Sequence, residues 1–333
     1  MIPWMAVVLA AVAWWAIENR RRTTHPVPAG YRPEIDLPFE QEFELYHNAL
    51  SLCSMKARVC LAELGVPYRS HPIDLIETGC YENIRPRLLR VNPGGTVPVL
   101  VHRGHPIYES HEQIRYAAQH APPGSPGLVP DDPEQKKRME AFIDRSSITA
   151  DPIENGALSA GNAVPGLTLP LFATMIEKIP VWRILEGLLF HFDKRRPVLF
   201  LALKLRGIEN FGGLGPAPKV LARSRDQMHV HLDALEAQLG ESGGPWILGD
   251  FFSLADVSWL VIFERLRQVD AEAVFLGEDR HPRCHAYWAR LRERRSYREA
   301  ILEHGHPLIE HGMRRIAEAK AADAGLRGLL EGR

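Results

Sequence analysis

The run Ser51-Leu52-Cys53-Ser54-Met55-Lys56-Ala57-Arg58 holds two side chains suited to thiol chemistry: Cys53 is itself a thiol, and the Ser51 hydroxyl can hydrogen-bond to one. Apolar periodicity over residues 54–64, stopped at Gly65, predicts a helix with this run at its N-terminus. Backbone N–H groups there have no intrahelical acceptor, and the helix dipole favours negative charge. A thiolate of Cys53, or of a bound ligand, would be stabilised in that position. The same residues also fit a purely structural role, with Ser51 or Ser54 as N-cap and Cys53 as a small buried side chain. Two further pairs suggest a ligand. Pro98 falls in an apolar strand where it removes a ladder donor; a cis Val97–Pro98 bond would turn the Val97 backbone toward an extended peptide ligand. Glu109 and Ser110 open the last helix of this region, a place where Ser110 and free N–H groups suit a carboxylate and Glu109 suits an amine.

The elements that must position these residues follow one another closely. A strand through Leu45 and His47 precedes the helix, and residues 68–74 read as a second strand. A helix over 81–89, a turn at Asn92-Pro93-Gly94-Gly95, a buried strand over 97–101, a hairpin at Arg103-Gly104 and a helix over 110–120 complete the order β-α-β-α-β-β-α, which is thioredoxin-like. Residues 121–133 contain five prolines and two glycines and mark a linker. Beyond Glu134 helical periodicity dominates, most clearly over 224–239, 254–269 and 282–295. The apolar stretch 164–205 is broken by Pro165, Pro170, Pro180 and Pro197 and by Lys194, Arg195 and Arg196. It reads as helical core with turns, or else as a helical excursion that rests on a membrane face or roofs an apolar pocket.

With 333 residues and a formal net charge of -1, the chain has room for two domains and no excess of cations to attract nucleic acid. Its four cysteines lack CxxC spacing and read as reduced thiols. The fifteen histidines lack partners at metal-ligand spacing, so no metal is expected. Residues 1–17 are uncharged, include Trp4, Trp14 and Trp15, and are followed by Arg20, Arg21 and Arg22. This pattern predicts a single-pass membrane anchor with the remainder on the cytoplasmic side. A cleavable signal ending near Ala11-Val12-Ala13 fits less well, because the positive charge follows the apolar run. The expected architecture is a transmembrane helix (1–19), a tether (20–41), an α/β thioredoxin-like N-terminal domain (42–121), a linker (122–133), an all-α C-terminal domain (134–312) and a charged tail (313–333).

From Phe43 to Leu302 the chain resembles the glutathione transferases. In that family a Val-Pro pair holds the cysteinyl backbone of glutathione and a Glu-Ser pair its γ-glutamyl end; Val97-Pro98 and Glu109-Ser110 fall in those places. Ser253-Leu254-Ala255-Asp256 resembles the family's buried capping box, a folding motif. Within the family the nearest likeness is to tetrachlorohydroquinone reductive dehalogenases, which share the Ser-x-Cys-Ser-Met-Lys run. The resemblance implies glutathione as co-substrate, Cys53 as nucleophile toward a glutathionyl adduct, Ser51 as partner of the glutathione thiol, a small apolar electrophile (a quinone or halogenated aromatic) as second substrate, and a homodimer. A weaker resemblance to ganglioside-induced differentiation-associated proteins keeps open a non-catalytic scaffold at a membrane surface. The Ser-x-Cys-Ser run of maleylacetoacetate isomerases keeps open glutathione-dependent isomerisation, although Leu52 stands where those have a second serine.

Overall fold

The computed structural model of the chain describes residues 2–148, 159–277 and 279–332. Helix α1 (Ile2–Arg21) comes first, followed by β1 (Gly30–Tyr31), β2 (Phe43–His47), α2 (Leu52–Leu64), β3 (Arg69–Pro72), α3 (Pro86–Leu89), β4 (Val99–His102), β5 (His105–Tyr108) and α4 (Ser110–Gln119). The strands form one mixed sheet in the order β1-β5-β4-β2-β3, with β2 and β3 parallel and the other pairs antiparallel. Alternation decides the faces: Leu45 of β2 stands opposite Leu100 of β4, which stands opposite Ile107 of β5, and all three are fully buried beneath α2 and α4. Val99, Val101 and Tyr108 pack on the other face with Ile73, Leu88 and Val91. Gly65 ends α2 in the left-handed region at φ 65°, as a glycine at that position does most easily.

The second half is helical among the described residues: α5 (Pro133–Ser146), α6 (Ala160–Leu167), α7 (Leu169–Met175), α8 (Val181–Phe190), α9 (Arg195–Arg206), α10 (Ala217–Glu241), α11 (Leu254–Gln268), α12 (Glu272–Phe275), α13 (Pro282–Glu293), α14 (Arg295–Ala300), α15 (Pro307–Ala322) and α16 (Ala324–Glu331). Helix α11 is buried nearly all round, with Trp259, Leu260, Val261, Ile262 and Phe263 fully enclosed, so it forms the axis of this domain. Its start is fastened by the capping box. Asp256 accepts from the Ser253 N–H at 2.8 Å and the Ile247 N–H at 3.0 Å, and from the Tyr287 hydroxyl at 2.8 Å. The apolar stretch 164–205 folds into α6 to α9; its buried side supplies core residues such as Leu171, Met175, Ile184 and Phe200.

The membrane anchor expected at 1–19 is not upheld, and the single-pass cytoplasmic-side localisation goes with it. No helix among the described residues is long and apolar enough to cross a membrane. Helix α1 has 20 residues, but its last turn is Glu18, Asn19, Arg20 and Arg21, and Pro3 stands near its start. The apolar run from Trp4 to Ile17 reaches only about 21 Å, against roughly 30 Å of hydrocarbon. Toward its C-terminal end the helix leans on α8. Trp14 meets Phe190 edge-on at 6.0 Å, and Arg22 bonds Glu186 at 2.7 Å. Two segments carry more structure than their sequence suggested: Gly30–Tyr31, in the stretch read as a tether, adds a strand to β5, and the stretch read as a charged tail (313–333) continues α15 and forms α16, with Ile316 and Leu326 buried.

Candidate active site

A cavity of about 480 Å³ opens between the sheet domain and the helices, and it brings together Ser51, Cys53, Val97, Pro98, Glu109 and Ser110. Three chain features deliver them. The loop after β2 delivers Ser51 and Cys53. Asn48, 2% exposed, shapes that loop: its side-chain carbonyl accepts the N–H groups of Leu50 (2.9 Å) and Ser51 (3.1 Å), while its amide donates to the Ile73 carbonyl and the Thr78 hydroxyl, both at 2.9 Å. Ser51 caps α2, accepting the Ser54 N–H at 3.3 Å. A hydroxyl has a second lone pair and a proton, so capping leaves Ser51 free to donate to a ligand sulfur. The N–H groups of Leu52 and Cys53, in the first turn, have no intrahelical acceptor. Cys53 is half-buried, while Cys60 and Cys284 are sealed in the core, where burial pushes their thiols up and out of use.

The segment leading into β4 delivers the second pair: the Val97–Pro98 bond is cis, and the Pro98 carbonyl accepts from the Gln113 side chain at 2.9 Å. The start of α4 delivers the third. Glu109 occupies positive φ (68°), a region costly for a residue with a Cβ, and this places it immediately before the free N–H groups of α4. Ser110 is buried at the cavity wall.

The opposite wall comes from the helical half. Val164, Pro165 and Phe172 give it an apolar surface, and His191, Phe192 and Arg196 close one side. The stretch 164–205 therefore does two things: it fills core and walls the pocket. Arg196 reaches across to Glu77, whose carboxylate is 3% exposed. Arg265 of α11, also 3% exposed, donates to the Leu50 carbonyl and, at 3.4 Å, to the Thr168 hydroxyl. Burial lowers its pKa to about 10, which still leaves it charged. The serine loop is thus pinned from the second domain.

Asn48, Glu77, Arg196 and Arg265 were not singled out from sequence as site residues. Arg196 and Arg265 are cations inside apolar stretches, and that mismatch was the available signal. Asn48 works through backbone groups and leaves no pattern. No cluster of His, Cys, Asp and Glu able to hold a metal occurs among the described residues.

Two family models match the chain: "Glutathione S-transferase, N-terminal domain" over residues 50–120 and "Glutathione S-transferase, C-terminal domain" over 218–290. The chain is 26% identical over 261 residues to the tetrachloro-p-hydroquinone reductive dehalogenase of Sphingobium chlorophenolicum, covering 78% of this chain and 95% of that one. It is also 26% identical over 320 residues to the 2,5-dichlorohydroquinone reductive dechlorinase of Sphingobium indicum, covering 84% and 88%. Among solved structures, a beta-etherase from Sphingobium sp. strain SYK-6 superposes with a TM-score of 0.63 at 17% identity, over 79% of this chain and all of that one; this likeness concerns the fold. With both domain models matched in order and a thiol-bearing helix start facing a cleft between them, the chain carries the N- and C-terminal domains of a glutathione S-transferase.

Proposed function

We propose that the protein is a glutathione-dependent transferase that removes a substituent reductively from an apolar aromatic electrophile, a quinone or halogenated hydroquinone. The observation that carries this reading is the composition of the cavity. One wall presents a serine, a cysteine and the strand and helix ends suited to a peptide with a free carboxylate, and the facing wall presents Val164, Pro165, Phe172 and Phe192. Two relatives are named for the reductive dehalogenation or dechlorination of hydroquinones, which supports an aromatic second substrate.

In this reading Glu109 and Ser110 take the amine and carboxylate of the γ-glutamyl end, and the Val97 backbone pairs with the cysteinyl unit. Ser51 donates to the glutathione thiolate, which attacks the electrophile and expels the leaving group as an anion. The Cys53 thiolate then attacks the sulfur of the glutathionyl adduct: the sulfur–carbon bond breaks, the arene carbon takes a proton, and a Cys53–glutathione disulfide forms. A second glutathione thiolate attacks that disulfide, releasing oxidised glutathione and restoring the Cys53 thiolate. The two electrons gained by the arene are those lost by two glutathione thiols.

Cys53→Ser tests this. With a chlorinated hydroquinone and excess glutathione, the variant is expected to accumulate the glutathionyl adduct and to lose at least about 100-fold in release of the reduced arene. Undiminished release would sink the assignment. In that event, loss of simple conjugation in Ser51→Ala would leave a serine-type transferase, a reading favoured by the free proton of the Ser51 hydroxyl.

A further inference from the structure

Lys56 lies three residues beyond Cys53 on α2, so the two side chains leave the same face of the helix one turn apart. It is 2% exposed. Its ammonium donates to the Ser147 hydroxyl at 3.1 Å, and that hydroxyl donates onward to the Ile143 carbonyl at 2.8 Å. Ser147 is the C-cap of α5, the end of a helix that attracts a cation. Among the described residues no carboxylate forms an ion pair with Lys56, and a buried lysine so placed is an expensive way to brace two helices, since an uncharged side chain would do so without desolvating an ion.

The groups around Lys56 show where its charge is felt. Cys53 faces it from its own helix, Glu109, His111 and Arg115 from the start and body of α4, and Asp144 from α5. Burial pushes the lysine's pKa down; against burial, Cys53 is the strongest influence holding the proton on, ahead of Asp144 and Glu109. His111 is in turn held toward its neutral form by burial and then by the Lys56 charge.

We propose that the Lys56 ammonium is the counter-charge of the Cys53 thiolate, held in place from its far side by the end of α5, so that the helical domain sets the reactivity of the thiol. Lys56 is a positioning residue and touches no substrate. This inference rests on the reading of Cys53 as the attacking thiol.

The test is the pH profile of Cys53 alkylation by iodoacetamide in the full-length protein, read by peptide mapping so that Cys80 is scored separately. Lys56→Gln removes the charge and keeps a shorter polar donor on the side facing Ser147; Lys56→Met removes charge and donor; Lys56→Arg retains the charge. Lys56→Gln and Lys56→Met are expected to alkylate about tenfold more slowly at neutral pH, with the whole profile displaced toward higher pH, and Lys56→Arg to stay within about twofold of the unaltered protein. A Lys56→Gln profile that superimposes on the unaltered one overturns the proposal, whether or not Lys56→Met folds. The two readings fail separately: full turnover in Cys53→Ser removes the nucleophile, whereas the alkylation profile reports the Lys56–Cys53 coupling without any turnover.

Discussion

The serine and cysteine depend on a neighbour that does no chemistry. Asn48 satisfies two N–H groups of the loop that carries Ser51 and two acceptors in the segment that follows the neighbouring strand β3. Asn48→Ala leaves several of these buried groups unpaired, so it is expected to cost roughly 2–4 kcal/mol in denaturant unfolding. It should also lower kcat/KM by about tenfold or more through misplacement of Ser51. A variant of unchanged stability would show that water replaces the amide. Ser51, Cys53, Val97, Pro98, Glu109 and Ser110 were legible because helix starts and a proline in a strand leave local marks. Arg265 was not, since it meets the Leu50 carbonyl 215 residues away in sequence, and no local pattern encodes that meeting.

At the level of elements, periodicity found α2, α4 and α11 and left 164–205 ambiguous. Core and pocket wall both require apolar residues, so composition cannot separate them. The capping box of α11 was readable because its bonds are local. Asp256→Ala would strand the Ile247 and Ser253 N–H groups and the Tyr287 hydroxyl in a fully buried place, and we expect a loss of roughly 3 kcal/mol or more in the unfolding free energy. A smaller change, below about 1 kcal/mol, would mean that the helix start is held by packing alone. Gly187 shows a finer constraint on α8: a Cβ there would lie 2.3 Å from the Tyr81 hydroxyl, and Tyr81 lines the cavity. Gly187→Ala is therefore expected to raise KM for the aromatic substrate while leaving the binding of glutathione, measured calorimetrically, nearly unchanged. The anchor expectation failed at this scale too, because charge and apolarity were both present in α1 but the apolar run was too short.

Across the whole molecule the two domains meet over a polar cluster. Arg58, 1% exposed, donates to the Ala300 carbonyl at 2.7 Å, to the Asn48 carbonyl at 3.0 Å and to His47 Nδ1 at 3.1 Å, which leaves His47 Nε2 to donate to Ser70. Burial, and after it the Arg58 charge, lowers His47 to about 2 and His304 to about 4. Unfolded histidine titrates near ~6.5, so below that value the unfolded chain binds more protons than the folded one. The stability contributed by neutral His47 and His304 is complete above about pH 6.5 and declines as pH falls toward the folded values. The melting temperature should drop steadily on acidification from neutrality, and His47→Gln should flatten the decline by up to about 1.4 kcal/mol per pH unit. Parallel curves for the two proteins would exclude His47 as the cause. One small element also reaches beyond the single chain. Strand β1 covers the outer edge of β5 through Gly30 and Tyr31, and Tyr31 stacks on Tyr116 at 5.0 Å. Without it, the backbone of β5 becomes an open template for strands of other molecules, blunted only by Pro106. A chain begun at residue 42 is expected to aggregate with rising concentration in light scattering where one begun at residue 30 does not, so those two residues act as a guard against self-association through the sheet.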